Sequence, residues 1–178
     1  MNIVIVYGTT EGQTRTIAER LADGLRAHGF VVDVDDARTA RPAFTAYDAV
    51  IVGASVHMGK HDKQVVRRVR ENRTTLESLP SAFFSVSLAA HGDDGEAQRY
   101  VEEFQKETGW RPARVATFAG ALRYTTYGFV KRHVMRRIAH TKPGDLGVDF
   151  SRDYDYTDWD AVDRFAEEVA AELASRAG

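Results

Sequence analysis

Cysteine is absent from the 178-residue chain. That absence excludes disulfides, thiolate metal centres, iron–sulfur ligation and cysteine nucleophiles together, so any redox chemistry requires a bound organic cofactor. No metal site is expected. Proline is scarce, at four residues, and there is no low-complexity or Gly/Ser-rich tract. Nothing therefore marks an internal linker, and one domain over 1–178 is expected. Neither sign of charge dominates: 24 Lys and Arg against 26 Asp and Glu leave a formal net charge of −2, which argues against a nucleic-acid partner. Long apolar runs are missing too. The run that opens the chain, through Tyr7, has no basic flank and is far too short for a signal peptide or a membrane span, so a cytoplasmic protein starting at Met1 is expected.

What is present is an alternation of strand and helix patterns. Ile3 to Tyr7 is short, apolar and rich in β-branched residues, as in a central strand buried on both faces, and Gly8 ends it. From Gln13 to Ala27, Ile17, Leu21 and Leu25 recur at four-residue spacing beside Ala18 and Ala22, giving one apolar helix face that His28-Gly29 stops. Phe30 to Val34 and Ala49 to Val52 read as strands, the second ended by Gly53 and Ala54, and a helix with Val65, Val66 and Val69 follows. Ala82 to Val86 is the fourth strand, Gly95 to Thr108 a helix that turns Tyr100, Val101 and Phe104 inward, and Val115 to Ala119 the fifth strand. Thr157 is the expected N-cap of the last helix, with Asp160 three residues on as a capping-box acid. Trp159, Val162, Phe165, Val169 and Leu173 supply that helix's buried face. The pattern predicts an α/β fold, a flavodoxin-like doubly wound five-stranded parallel sheet in the order 2-1-3-4-5 with helices on both faces.

In such sheets a ligand sits outside the carboxyl ends of the strands. The first turn there, Gly8-Thr9-Thr10-Glu11-Gly12-Gln13-Thr14, combines hydroxyls with backbone amides at a helix N-terminus, where unpaired N–H groups and the helix dipole favour phosphate. It is neither Gly-x-Gly-x-x-Gly nor a lysine-bearing nucleotide loop. Arg15 should point along the helix. Hydroxyls and amides without a cation suit a single phosphomonoester, as in FMN, although a Thr/Gly turn can also simply cap a helix. The second loop, Gly53 to Lys60, begins with small residues (Ala54, Ser55, Val56) that admit a flat ring, with His57, Met58 and Gly59 to flank it. The third, Ser87-Leu88-Ala89-Ala90-His91-Gly92, would supply the other edge.

The alternation breaks between Gly120 and Tyr156, a stretch at 121–155 that is too long for a simple connection and carries most of the local positive charge. Within 129–140, Val130, Val134 and Ile138 would form one helical stripe with Met135, flanked by Lys131, Arg132, Arg136 and Arg137. Such a helix either lies on an anionic membrane surface or packs its stripe on the sheet edge.

Thr9 to Thr14 resembles the flavodoxin loop. A narrower resemblance, over nearly the whole chain, is to the menaquinone-dependent protoporphyrinogen oxidase (dehydrogenase) family of FMN proteins. It is carried by Asp48 to Ser55, Leu79 to Leu88, Trp110 to Pro112, Ala119 to Tyr124 and Tyr156 to Trp159, in that order and spacing. The resemblance implies oxidation of protoporphyrinogen IX to protoporphyrin IX in haem synthesis, with FMN passing electrons to menaquinone or another quinone. It further implies that Arg123, Tyr124, Lys131, Arg132, Arg136 or Arg137 meets the substrate and its propionates. The proton from a pyrrole nitrogen would go to His57, His91 or solvent. A flavodoxin-type electron carrier, a quinone reductase and a phosphate-binding module stand as alternative readings.

Overall fold

The computed structural model of the chain describes residues 1–123, 125, 149 and 151–177. Its first strand, β1 (Asn2–Gly8), shows why a continuous apolar run is needed. Alternate residues enter opposite cores: Ile3, Ile5 and Tyr7 pack with one set of helices, Val4 and Val6 with the other. Helix α1 (Gln13–Ala27) occupies the bounds its periodicity predicts, and Ile17, Leu21 and Leu25 are fully buried on the first face. Strand β2 (Val31–Asp36) follows. It starts later than Phe30 because Phe30 packs on the core before the ladder begins, and it runs on to Asp36 as an edge strand whose Val31 is 62% exposed.

Strand β3 (Ala49–His57) corrects the expectation that Gly53 and Ala54 end it. Gly53 is a mid-strand glycine: a β-carbon there would overlap the Phe84 ring of the neighbouring strand, so the glycine serves a close approach. The chain then turns through Met58 and Gly59, both at positive φ (51° and 76°), into β4 (Lys60–His61). β4 pairs antiparallel with β3. Two central residues with positive φ are what a tight hairpin requires.

Helix α2 (Lys63–Glu71) is capped by Asp62, whose carboxylate accepts from the amides of Gln64 and Val65 at 2.9 and 3.4 Å. A short α3 (Arg73–Ser78), absent from the sequence reading, seats Leu76 in the second core. Strand β5 (Ser81–Ser87), helix α4 (Asp94–Thr108) and strand β6 (Arg114–Ala119) follow as predicted, with Tyr100, Val101 and Phe104 buried. β7 (Ala121–Leu122) and β8 (Tyr154–Asp155) then form an antiparallel ribbon. The chain closes with α5 (Trp159–Ala177).

Thr157 is not its N-cap. Asp158 takes that role, accepting from the Ala161 amide at 3.0 Å, because the Thr157 hydroxyl is already engaged by Gln13 and by the Ala119 carbonyl. The long parallel strands lie in the order β2-β1-β3-β5-β6. With the hairpin strand β4 set aside, that is the predicted 2-1-3-4-5.

Candidate functional site

A cavity of about 480 Å³ opens beyond the carboxyl ends of β1, β3 and β5, within the size range of small-molecule and cofactor sites. Three segments converge on it, as their positions after alternate strands of a doubly wound sheet require.

The first is the turn into α1. Thr9, Thr10, Glu11, Gln13 and Thr14 line the cavity. Gly12 does not; it shapes the turn instead, with φ 90° and its amide donating to Thr9 Oγ1 at 2.9 Å. Among the described residues no side chain caps α1, so its first-turn amides keep the unpaired donors and positive dipole end that attract an anion. Thr14 Oγ1 is fully buried and has no partner among the described residues, and Ser55 Oγ is buried in the same condition. A buried hydroxyl without a partner costs free energy unless a ligand supplies one. A phosphate at Thr14 and a polar ring edge at Ser55 would do so, and a phosphoryl flavin therefore fits these residues. Arg15 pairs with Glu19 at 2.8 Å along the exposed helix face, as predicted.

The second segment is the β3–β4 hairpin. Ser55, Val56, His57, Met58 and Gly59 line the cavity, and Met58 is 90% exposed at its rim. Ala54 is fully buried in the core beneath and lines nothing, which corrects its assignment to the cofactor: its side chain belongs to the α2–α4 face of the sheet. The hairpin is pinned from below by His61, whose Nε2 lies 2.8 Å from Ser85 Oγ and whose ring packs against Phe83 and Phe104 at 5.7 and 5.0 Å between centroids. Burial lowers the His61 pKa to about 4.

The third segment contributes Ser87, Leu88 and Ala89. Ala90 and His91, also assigned to the cofactor from sequence, are not among the residues that line the cavity. His91 packs against Tyr156 with the rings tilted by 30° and centroids 4.4 Å apart.

Four lining residues escaped the sequence reading: Val86, Tyr100, Gly120 and Ala121. Gly120 and Ala121 follow the last strand of the sheet, so the crevice rule itself could have found them. Tyr100 was indistinguishable from core by periodicity. Its hydroxyl donates to Glu96 Oε1 at 2.7 Å, and burial together with that bond pushes its pKa up to about 12, so it stands as a neutral phenol in the wall.

Of the basic residues expected to meet a substrate, Arg123 is placed beside the first loop. Its Nη2 donates to Gln13 Oε1 at 2.8 Å and its Nη1 lies 3.9 Å from Asp153 Oδ2. Tyr124, Lys131, Arg132, Arg136 and Arg137, with all of 129–140, lie outside the described residues. Among the described residues no helix is long and apolar enough to cross a membrane.

The Flavodoxin domain family matches residues 4–147. The protoporphyrinogen IX dehydrogenase (quinone) of Escherichia coli strain K12 is 36% identical over 174 residues, covering 96% of this chain and 95% of that protein. The protein of the same name from Leishmania major is 35% identical over 175 residues, covering 94% of this chain and 74% of that one. Among solved structures, a Streptococcus pneumonia TIGR4 flavodoxin superposes with a TM-score of 0.59 at 20% identity, over 97% of this chain and 99% of that one. A flavodoxin from the Archaea gives 0.55 at 17% identity, over 98% and 99%. At these identities the solved structures speak for the fold.

Proposed function

Because the chain belongs to the flavodoxin-domain family of quinone-dependent protoporphyrinogen IX dehydrogenases, we propose that it binds FMN and oxidises protoporphyrinogen IX to protoporphyrin IX, with a quinone as electron acceptor. The observation that carries this reading is the kinship itself, which at 36% identity runs through 96% of the chain. The cavity agrees with it. A finer reading names menaquinone as the acceptor and haem synthesis, at the cytoplasmic face of the membrane, as the setting.

The chemistry that FMN supplies when bound is two-electron acceptance from the substrate and donation to the quinone. The rest falls to the chain. Thr9, Thr10, Thr14 and the open amides of α1 would hold the phosphate. Val56, Val86, Leu88 and Ala89 form apolar walls that would exclude water from a bound ring, and Met58 stands exposed at the rim. His57 lines the cavity and faces solvent, which suits it to take the pyrrole proton as the substrate is oxidised. His91, packed against Tyr156, is not among the residues that line the cavity. Complete oxidation of the substrate removes six electrons, so the site must act three times with re-oxidation between turns. The basic residues of 129–140 pair with substrate propionates and rest on an anionic membrane surface in this reading.

The test is direct. Purified protein should be yellow and release FMN on heating, and should form fluorescent protoporphyrin from protoporphyrinogen with menadione as acceptor. Normal FMN content without porphyrin formation would sink the enzymatic reading in favour of an electron carrier or a quinone reductase. Charge reversal of Arg136 and Arg137 should weaken substrate or liposome binding and leave FMN bound; unchanged binding removes the role of that segment.

A further inference from the structure

Gln13 was expected to touch the cofactor, yet its side chain is committed elsewhere. It is the first residue of α1, 4% exposed, and lines the cavity beside the orphaned Thr14 hydroxyl. Its Nε2 donates to Asp155 Oδ1 at 3.0 Å and to Thr157 Oγ1 at 2.8 Å, while its Oε1 accepts from Arg123 Nη2 at 2.8 Å. Both amide protons and one lone pair are therefore engaged. All three partners sit on or next to the β7–β8 ribbon, whose two strands bracket residues 123–153 in the sequence.

The ribbon end of this contact is itself braced. Thr157 Oγ1 donates to the Ala119 carbonyl at 2.9 Å, the Thr157 amide donates to Asp155 Oδ1 at 2.9 Å, and the Tyr156 amide donates to the Gly120 carbonyl at 3.2 Å. A carboxamide suits the position because it donates and accepts at once. A glutamate would meet Asp155 with like charge, and a leucine would leave the guanidinium without this acceptor. Part-buried hydrogen bonds to a carboxylate and a guanidinium are of the stronger kind.

We propose that Gln13 is a positioning residue that couples the phosphate loop to the ribbon through Arg123 and Thr157, so that a phosphomonoester seated on the loop orders the ribbon and the ribbon raises affinity for that ligand. Binding linkage is reciprocal, so the two effects must be equal in size. The inference rests on the FMN reading above and adds that the phosphate, rather than the ring, is what the ribbon senses, since the latch grips the first residue of α1, next to the Thr14 hydroxyl in the phosphate turn.

The test uses the full chain with FMN and with riboflavin, which lacks the phosphate. Flavin affinity is read by fluorescence quenching and ribbon order by amide hydrogen exchange at 121–123 and 154–157. In the wild type, FMN should slow ribbon exchange about tenfold and riboflavin should leave it unchanged. Arg123→Ala should weaken FMN by roughly tenfold, abolish the FMN effect on ribbon exchange, and leave riboflavin affinity as it was. Gln13→Leu should do the same. Because Gln13→Leu alters a buried residue of the loop, Arg123→Ala carries the test if that variant does not fold. A folded Arg123→Ala protein with wild-type FMN affinity and wild-type ribbon protection overturns the coupling, as does a wild type that binds FMN with no change in the ribbon. A wild type that binds neither flavin overturns the cofactor reading and the coupling with it.

Discussion

Replacing Thr14 by valine separates what its hydroxyl does for the fold from what it does for a ligand, because the two effects carry opposite signs. The side chain is fully buried and its Oγ1 has no partner among the described residues. Valine has nearly the same shape and the same branching at Cβ, so packing and helix preference change little. In the ligand-free protein the substitution removes a desolvated, unpaired hydroxyl, and stability should rise by about 1 kcal/mol, or about 2–4 °C in melting temperature for a chain of this size. With FMN bound, the same substitution deletes a hydrogen bond to a charged phosphate, worth about 1.5–3 kcal/mol. Affinity for FMN should then fall roughly ten- to hundredfold, while affinity for riboflavin stays level. Scanning calorimetry of the ligand-free protein and fluorescence titration with the two flavins give both readings. A valine variant that is less stable without ligand, or that binds FMN as tightly as the wild type, refutes the assignment of Thr14 to the phosphate.

Three further outcomes follow from the same geometry. Gly53→Ala forces a β-carbon into the Phe84 ring and should cost about 1–3 kcal/mol in urea unfolding; a neutral result would mean that the β3–β5 contact relaxes freely. His61 holds a folded-state pKa near 4, below the ordinary value of 6.5, so the unfolded chain binds more protons between these values and stability falls as the pH drops through that window. The loss should reach about 3 kcal/mol by pH 4, with full stability restored above pH 6.5. His61→Gln should flatten this slope in denaturant titrations taken at several pH values, and an unaltered slope would remove His61 as its source. Met58 sits at φ 51° with its side chain 90% exposed, so Met58→Gly should relieve about 1 kcal/mol of backbone strain. It should also weaken flavin binding by uncovering the rim, so a variant that gains stability at no cost in affinity would show that the rim methionine does not cover the ring.

The β-hairpin and the ribbon divide the labour around the cavity. His61, half-buried beside Ser85 and packed against the stacked pair Phe83 and Phe104, ties the hairpin to the sheet, while Gln13 ties the phosphate turn to the ribbon. Neither side chain needs to touch a ligand to set the width of the cleft between them. Preorganisation of this kind limits the entropy lost when a flat cofactor enters.

Sequence by itself determined the order of the five long parallel strands, the bounds of α1, the strands that enter both cores and the turn from Thr9 to Thr14. These depend on local periodicity and on the conformational habits of single residues, which neighbours in the chain already express. Tertiary structure decided the rest. Gly53 reads as a strand end until the Phe84 ring is placed against it. Thr157 reads as a helix cap until Gln13, 144 positions away, claims its hydroxyl. Tyr100 reads as core until a cavity opens on it, and Ala54 reads as a cofactor contact until the sheet buries it. In each case the deciding partner is distant in sequence, and a hydroxyl, a carboxamide or an absent β-carbon takes its meaning from the group that folding brings to it.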